Sequence, residues 1–414
     1  TEDEVEIPLP YELQELRSIN VKPVGKPYEG TTSLAGKAFE IYHLGREKTG
    51  FLGMHITCKE AGSFYIMFDE RLVDGDIDPF AMDCLNAIRF DVEPGEYDFL
   101  SFEPYGLVYL KLASISGSFE INDLHMLEDV CPEPIVASYQ GNNPALKKIY
   151  DAAIETFRQN AADVFMDCPT RERAGWLCDS FFTARVEKLL TGQNQIERAF
   201  LENFLLAKGF RNIPKGMLPM CYSDDHYDGA FIPNWAMWFV IELSDYQRRS
   251  GDVEMAQKLR KKVYELVDYF VPFENELGLL EKLENWVFVE WSKANDLVQD
   301  VNYPSNMLYS LMLRTIGELY ADAALAQKGE RIAQTVRERS FDGRFFVDNE
   351  VRENGVLRLT GERTETCQYY AFFCDIATPD SYPELWRVMT QEFGPDRQEK
   401  GLYPENYPSN AFIG

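Results

Sequence analysis

Residues 166–179, MDCPTRERAGWLCD, place Asp167, Arg171, Glu172, Arg173 and Asp179 around Pro169, Gly175 and Trp176. Acids this dense beside a tryptophan suit proton transfer to a leaving group. Cleaving a glycosidic bond needs one carboxylic acid to protonate the departing oxygen. It also needs a second carboxylate opposite, as nucleophile or to activate water. The acid must keep its proton near neutral pH, through desolvation or neighbouring negative charge. Here Trp176 offers an apolar wall, and Asp167 and Asp179 would raise the pKa of Glu172. Arg171 and Arg173 oppose this unless they turn to other partners. On residue types alone the stretch also reads as a solvated, ion-paired loop.

Two further stretches carry the same kinds of side chain. Residues 218–235 bring Asp224, Asp225, His226, Asp228 and Trp235, and residues 284–300 bring Trp286, Glu290, Trp291, Lys293 and Asp296. Sugars are gripped by acids and amides at their hydroxyls and by aromatic faces on their C–H side. Each stretch alone also reads as polar surface with a packed tryptophan. Together they predict one carbohydrate site. Other chemistries find less support. GxSxG, GxxxxGKS and GxGxxG are missing from the sequence. Cys168 and Cys178 have no histidine close in sequence and read as small buried side chains. The four histidines fall singly, so neither a metal site nor a cofactor is expected.

The elements that must position these loops follow from periodicity. The first third alternates: Ile88, Phe90 and Val92 oppose Arg89, Asp91 and Glu93, and Phe64, Ile66 and Phe68 repeat the pattern. Residues 105–121 read as two strands about Gly117. Period-2 runs separated by turns predict an antiparallel β-sandwich over residues 1–137, its first 35 or so residues irregular or partial. From residue 138 the period becomes helical. Leu146, Ile149, Tyr150, Ala153, Ile154 and Phe157 form one stripe, and about nine helices follow one another to residue 393. Every second connection is long: 164–178, 209–232, 272–304, 340–365 and 394 onward. In an up-and-down array these loops share one face, where long loops are usually functional. Six helical hairpins would make an (α/α)6 barrel. The barrel over 138–414 is therefore expected to be truncated at its C-terminal end.

Composition bounds the partners. A formal charge of −27 argues against nucleic acid and against anionic membrane surfaces. No apolar run is long enough to span a bilayer. The eight scattered cysteines suit free thiols, and they favour the cytoplasm over the periplasm. A carbohydrate is the expected partner, and a homodimer stays open.

At the acid loop the sequence resembles the α-L-rhamnosidases of glycoside hydrolase family 78, whose signature is D-C-P-x-R-E-x-x-G-W-x-x-D. All eight fixed positions are present, from Asp167-Cys168-Pro169 through Arg171-Glu172 and Gly175-Trp176 to Asp179. EIYHLGREKTGFLGMHI and FDERLVDGDI are similar to the family's β-sandwich, and IPNWAMWFVIELSDYQRRSGD to a barrel helix. The resemblance implies hydrolysis of terminal, non-reducing α-L-rhamnose with inversion, Glu172 being the general acid. It implies sugar contacts for Asp167 and Asp179. Arg171, Trp176, Asp228, Trp235, Trp286, Glu290 and Trp291 are the further expected substrate-binding residues. Glu290-Trp291 stands where the family often has Asp-Trp. The family's general base is a glutamate near the end of the barrel, expected here past Gly414; Glu365 and Glu405 lie in long loops without that assignment. Two other readings are a rhamnose-binding protein without catalysis and an α/α-barrel glycosidase acting on a different sugar.

Overall fold

The computed structural model describes residues 17–20, 22–23, 30–81, 83–222, 229–392 and 394–403. Seven strands come first: β1 Arg17–Asn20, β2 Lys22–Pro23, β3 Thr31–Ala35, β4 Ala38–Asp69, β5 Ala87–Val92, β6 Gly95–Leu100 and β7 Tyr105–Glu128. All pair antiparallel in one sheet, and β4 and β7 are its frame. Residues 109–114 of β7 lie between the two halves of β4, paired with 38–43 on one side and 64–69 on the other. Register shifts along the pairing, such as the one between His43 and Lys48, let so long a strand bend.

The alternation read from the sequence is the alternation of burial. Phe64, Ile66 and Phe68 sit in one core with Leu110, Leu112, Phe119 and Ile121, and Ile88, Phe90 and Val92 pack against it. One expectation needs correcting. Residues 105–128 are one strand, not two, because pairing with β4 resumes past Gly117, which sits at a register shift with a positive φ of 86°. Within the first 35 residues the described strands are β1, β2 and β3. They are short, and pairing with β7 and β4 holds them where their own pattern is weak.

Ten α-helices follow among the described residues: α1 Pro144–Asn160, α2 Leu177–Thr191, α3 Gln195–Leu206, α4 Pro233–Ser250, α5 Val253–Phe270, α6 Tyr303–Tyr320, α7 Ala323–Ser340, α8 Glu365–Phe373, α9 Pro383–Gln391 and α10 Pro395–Glu399. The first nine match the expected stretches. The tenth is too short for a periodic signal. Polar caps start several of them: Asn143 accepts from Ala145 and Leu146, Asp252 from Met255, and Asn302 from Ser305. Two of the long connections are not irregular. Residues 340–365 hold the hairpin of β9 (Asn349–Glu353) and β10 (Val356–Leu359), and β8 (Val301–Asn302) adds to it.

The described chain forms two compact units, residues up to 174 with 187–196, and residues 175–186 with those from 197 onward. In the first unit α1 docks on the sheet through its last turn, where Cys131 N–H bonds to Arg158 O and Thr49 N–H to Gln159 Oε1. Its predicted apolar stripe is therefore buried only at that end. Phe157 is 5% exposed, Leu146 51% and Ile149 65%. In the second unit α4 and α6 are buried nearly all round, whereas α5 and α7 bury one stripe each. Helix α6 packs against α4, α7 and α8. All eight cysteines are free. Among the described residues no helix is long and apolar enough to cross a membrane.

Candidate active site

In the first unit the acid loop closes on itself and is fastened to the sheet. Asp167 N–H bonds to Ala174 O at 3.2 Å, and Asp167 Oδ1 accepts Ala174 N–H at 3.1 Å. Asp167 thus braces the two ends of the loop, a role additional to the expected sugar contact. Pro169 O accepts Gly106 N–H at 2.9 Å. A Cβ on Gly106 would stand 2.7 Å from the Pro169 carbonyl, so this approach needs glycine. Thr170 Oγ1 reaches Glu70 Oε1 at 2.5 Å and Glu47 Oε1 at 3.2 Å. Arg173, at φ 53°, donates to Pro104 O at 2.9 Å, pairs with Glu103 at 2.7 Å and lies over the Tyr105 ring.

Glu172 sits at the tip of this frame, its side chain 24% exposed. Its N–H bonds to Cys168 Sγ at 3.4 Å, and burial raises the Cys168 thiol above its ordinary range. A neutral thiol serves as an acceptor here and makes a poor nucleophile. The two arginines differ. Arg173 turns to other partners, as an acid at Glu172 requires, but Arg171 does not: its guanidinium is ion-paired with Glu172. The expectation is corrected to that extent, because Arg171 finds its counter-ion on the adjacent residue. Asp167, Cys168 and Pro169 also line a cavity of about 540 Å³, with Arg46, Glu47 and Glu155 among its other walls.

In the second unit the expected tryptophans meet. Trp176 packs edge-on against Trp235 at 5.2 Å between ring centroids, and Trp235 against Phe288 at 5.5 Å. Phe288 touches Trp286 at 5.6 Å and Trp291 at 5.0 Å, which completes one aromatic chain. Trp176 and Phe288 are buried, at 8% and 4% exposed, whereas Trp286 is 39% and Trp291 60% exposed. Trp176 is therefore enclosed, and Trp286 and Trp291 keep exposed ring surface. Two backbone contacts seat Trp176: Leu177 N–H bonds to Met220 O, and Tyr222 N–H to Gly175 O. Here too the motif's glycine is steric, since a Cβ at Gly175 would meet Tyr222 O at 2.9 Å.

The second unit also places the remaining acids. Glu290 is buried, and its Oε1 accepts Trp291 N–H at 2.7 Å. Asn295 Oδ1 holds the same turn by accepting Val289 N–H and Glu290 N–H. Asp179 stands in the first turn of α2. Desolvation, with the charges of Asp179, Glu290 and Glu242 nearby, holds the Cys178 thiol well above its ordinary range, so this cysteine too is no nucleophile. Glu365 begins α8 and is ion-paired with the buried Arg397 at 3.3 Å. Asp228 and Glu405 lie outside the described residues.

Sequence reasoning missed Glu47, Glu70, Thr170 and Glu242. The first two stand in the segments LGREKTGF and FDERL, but nothing in either segment points to residue 170, more than a hundred positions from Glu47. Glu242 lies within a strongly apolar helix pattern. A lone acid at such a position is the one available signal.

A family model described as the bacterial alpha-L-rhamnosidase 6 hairpin glycosidase domain matches residues 135–382, more than half of the chain. No curated protein matches it. Among solved structures, the GH78 family rhamnosidase of Bacillus sp. GL1 aligns with a TM-score of 0.77 at 18% identity, over 94% of this chain and 40% of that one. The rhamnosidase from Klebsiella oxytoca, with rhamnose bound, gives 0.69 at 17% identity, over 92% of this chain and 78% of that one. The native α-L-rhamnosidase from Aspergillus terreus gives 0.63 at 15% identity, over 91% and 43%. At such identities the likeness is one of fold, and this chain spans 40% of the Bacillus protein's length. The family model is what assigns descent: the chain belongs to the bacterial α-L-rhamnosidase six-hairpin glycosidase family.

Proposed function

We propose that the protein is an inverting exo-glycosidase that removes terminal α-L-rhamnose, with Glu172 as general acid. The observation that carries this reading is the acid loop itself. It is closed by Asp167 and Ala174, fastened at Pro169, Thr170 and Arg173, and carries Glu172 with its side chain 24% exposed and paired with Arg171. Family membership and a rhamnose-bound relative of the same fold support the choice of sugar. Asp167, Asp179, Asp228 and Glu290 are proposed to hold the sugar's hydroxyls, and Trp176, Trp235, Trp286 and Trp291 its apolar side with the 6-methyl group. Arg171 is proposed to leave Glu172 for a substrate oxygen, freeing the acid to protonate the leaving group. Inversion also requires a base about 6.5–9.5 Å from the acid, with water between. The fold of this reading is a β-sandwich over 1–137 leading into an (α/α)6 barrel that begins at 138. The alternation of α4 and α6, buried nearly all round, with one-sided α5 and α7 supports inner and outer helix layers.

The test is an aryl α-L-rhamnoside assay on the full-length gene product, with the product anomer followed by NMR. Glu172→Gln should lower kcat on the order of a hundred- to ten-thousandfold while rhamnose still binds by calorimetry. Unchanged turnover in that variant removes Glu172 from the mechanism, and a retained anomer removes inversion.

A further inference from the structure

Two glutamates that the glycosidase reading leaves unused hold the acid loop at Thr170. Glu47 lies within β4, and Glu70 directly follows that strand. Thr170 is 3% exposed, and its hydroxyl lies 2.5 Å from Glu70 and 3.2 Å from Glu47. A hydroxyl has one hydrogen, which goes to the nearer acceptor, Glu70. The contact between Thr170 and Glu47 then needs a carboxyl proton, donated to Thr170 Oγ1. Glu47 is its carrier: desolvation, then the Glu70 charge, push its carboxyl up to about 7. The neighbouring cations are engaged elsewhere, Arg46 with Glu155, and Lys48 with Glu128 and Glu155.

Thr170 is two residues from Glu172, and the loop between them is short and closed. We propose that Glu47 and Glu70 are positioning residues for the acid: both on the Thr170 hydroxyl, they clamp the loop to the sheet and fix where Glu172 presents its proton. This rests on the reading of Glu172 as general acid. Neither glutamate touches substrate in this scheme, and each acts through Thr170.

Leaving-group dependence separates a misplaced acid from a general loss of structure. A poor leaving group, such as an alkyl alcohol, needs protonation, whereas dinitrophenolate departs without it. In the full-length gene product, Thr170→Val and Glu47→Leu should lower kcat on alkyl α-L-rhamnosides on the order of a hundredfold. On the dinitrophenyl rhamnoside the loss should be less than about tenfold. Glu47→Gln can still donate a hydrogen bond to Thr170 Oγ1 and should recover most of what Glu47→Leu loses. Glu172→Gln run alongside should show the same dependence more steeply. If it does while Thr170→Val and Glu47→Leu slow both substrates equally or not at all, the clamp is overturned and the acid stands. If Glu172→Gln shows no dependence on the leaving group, the acid assignment fails and the clamp with it.

Discussion

Arg171 and Arg173 flank Glu172 in sequence, yet the fold sends them different ways. Arg173 has a carbonyl, a carboxylate and a ring waiting on the sheet, whereas Arg171 has its neighbour. A guanidinium against the acid favours the ionised form, which opposes proton donation. Arg171→Gln should therefore extend the alkaline limb of kcat/KM, which reports the free enzyme, upward by about one pH unit, measured with an aryl rhamnoside. It should also raise KM, since Arg171 is proposed to grip the sugar. A moved limb in kcat would mean that Arg171 stays on Glu172 during the chemistry. The types and spacing of the acids and tryptophans were legible in the sequence because the motif is local. Glu47 and Glu70 were not, since a contact bridging a hundred positions leaves no local pattern.

Among elements, the long strands do the positioning. Strand β4 supplies Glu47 and leads to Glu70, while β7 begins at the Gly106 contact with Pro169. The backbone of Gly106 is ordinary extended strand, so its need for glycine comes from the neighbour and not from φ. Gly106→Ala would place a methyl 2.7 Å from the Pro169 carbonyl and must lift the loop. The expected cost is about 1–3 kcal/mol in urea unfolding, with a fall in kcat on poor leaving groups. Wild-type stability in that variant would show the loop to be pliable. Period-2 and period-3.6 patterns predicted the strands and nine of the helices. They could not predict that residues 105–128 form one bent strand, because a glycine at a register shift looks like a turn in sequence.

At the scale of the whole molecule, buried acids couple stability to pH. Glu242 is fully buried on α4, and Ser180 Oγ lies 2.6 Å from its Oε2 and 2.7 Å from Leu177 O. One hydroxyl hydrogen between two acceptors is completed by a proton on Glu242. Burial, followed by the Glu197 charge, holds that carboxyl well above its ordinary range. The folded state then keeps a proton that the unfolded chain releases above pH ~4.5, so this group costs stability as pH rises. Glu242→Gln removes the dependence. Its stability relative to wild type should improve by roughly 1 kcal/mol per pH unit above that value, read from urea midpoints at pH 5 and 8. A constant difference would show that Glu242 is ionised in the folded state. Asp322 works the other way: the Leu325 N–H holds it below the usual carboxylate range, and its contribution is lost as pH falls. By itself the sequence determined the acid motif, the change from alternating to helical period and the free thiols, all of which rest on local spacing and residue type. Only the tertiary structure decided that four tryptophans with Phe288 form one aromatic chain, that Arg171 rather than Arg173 pairs with Glu172, and that Glu47 and Glu70 both reach Thr170. Each of those depends on which distant backbones the sheet and helices bring within a few ångströms, and no local pattern encodes that distance.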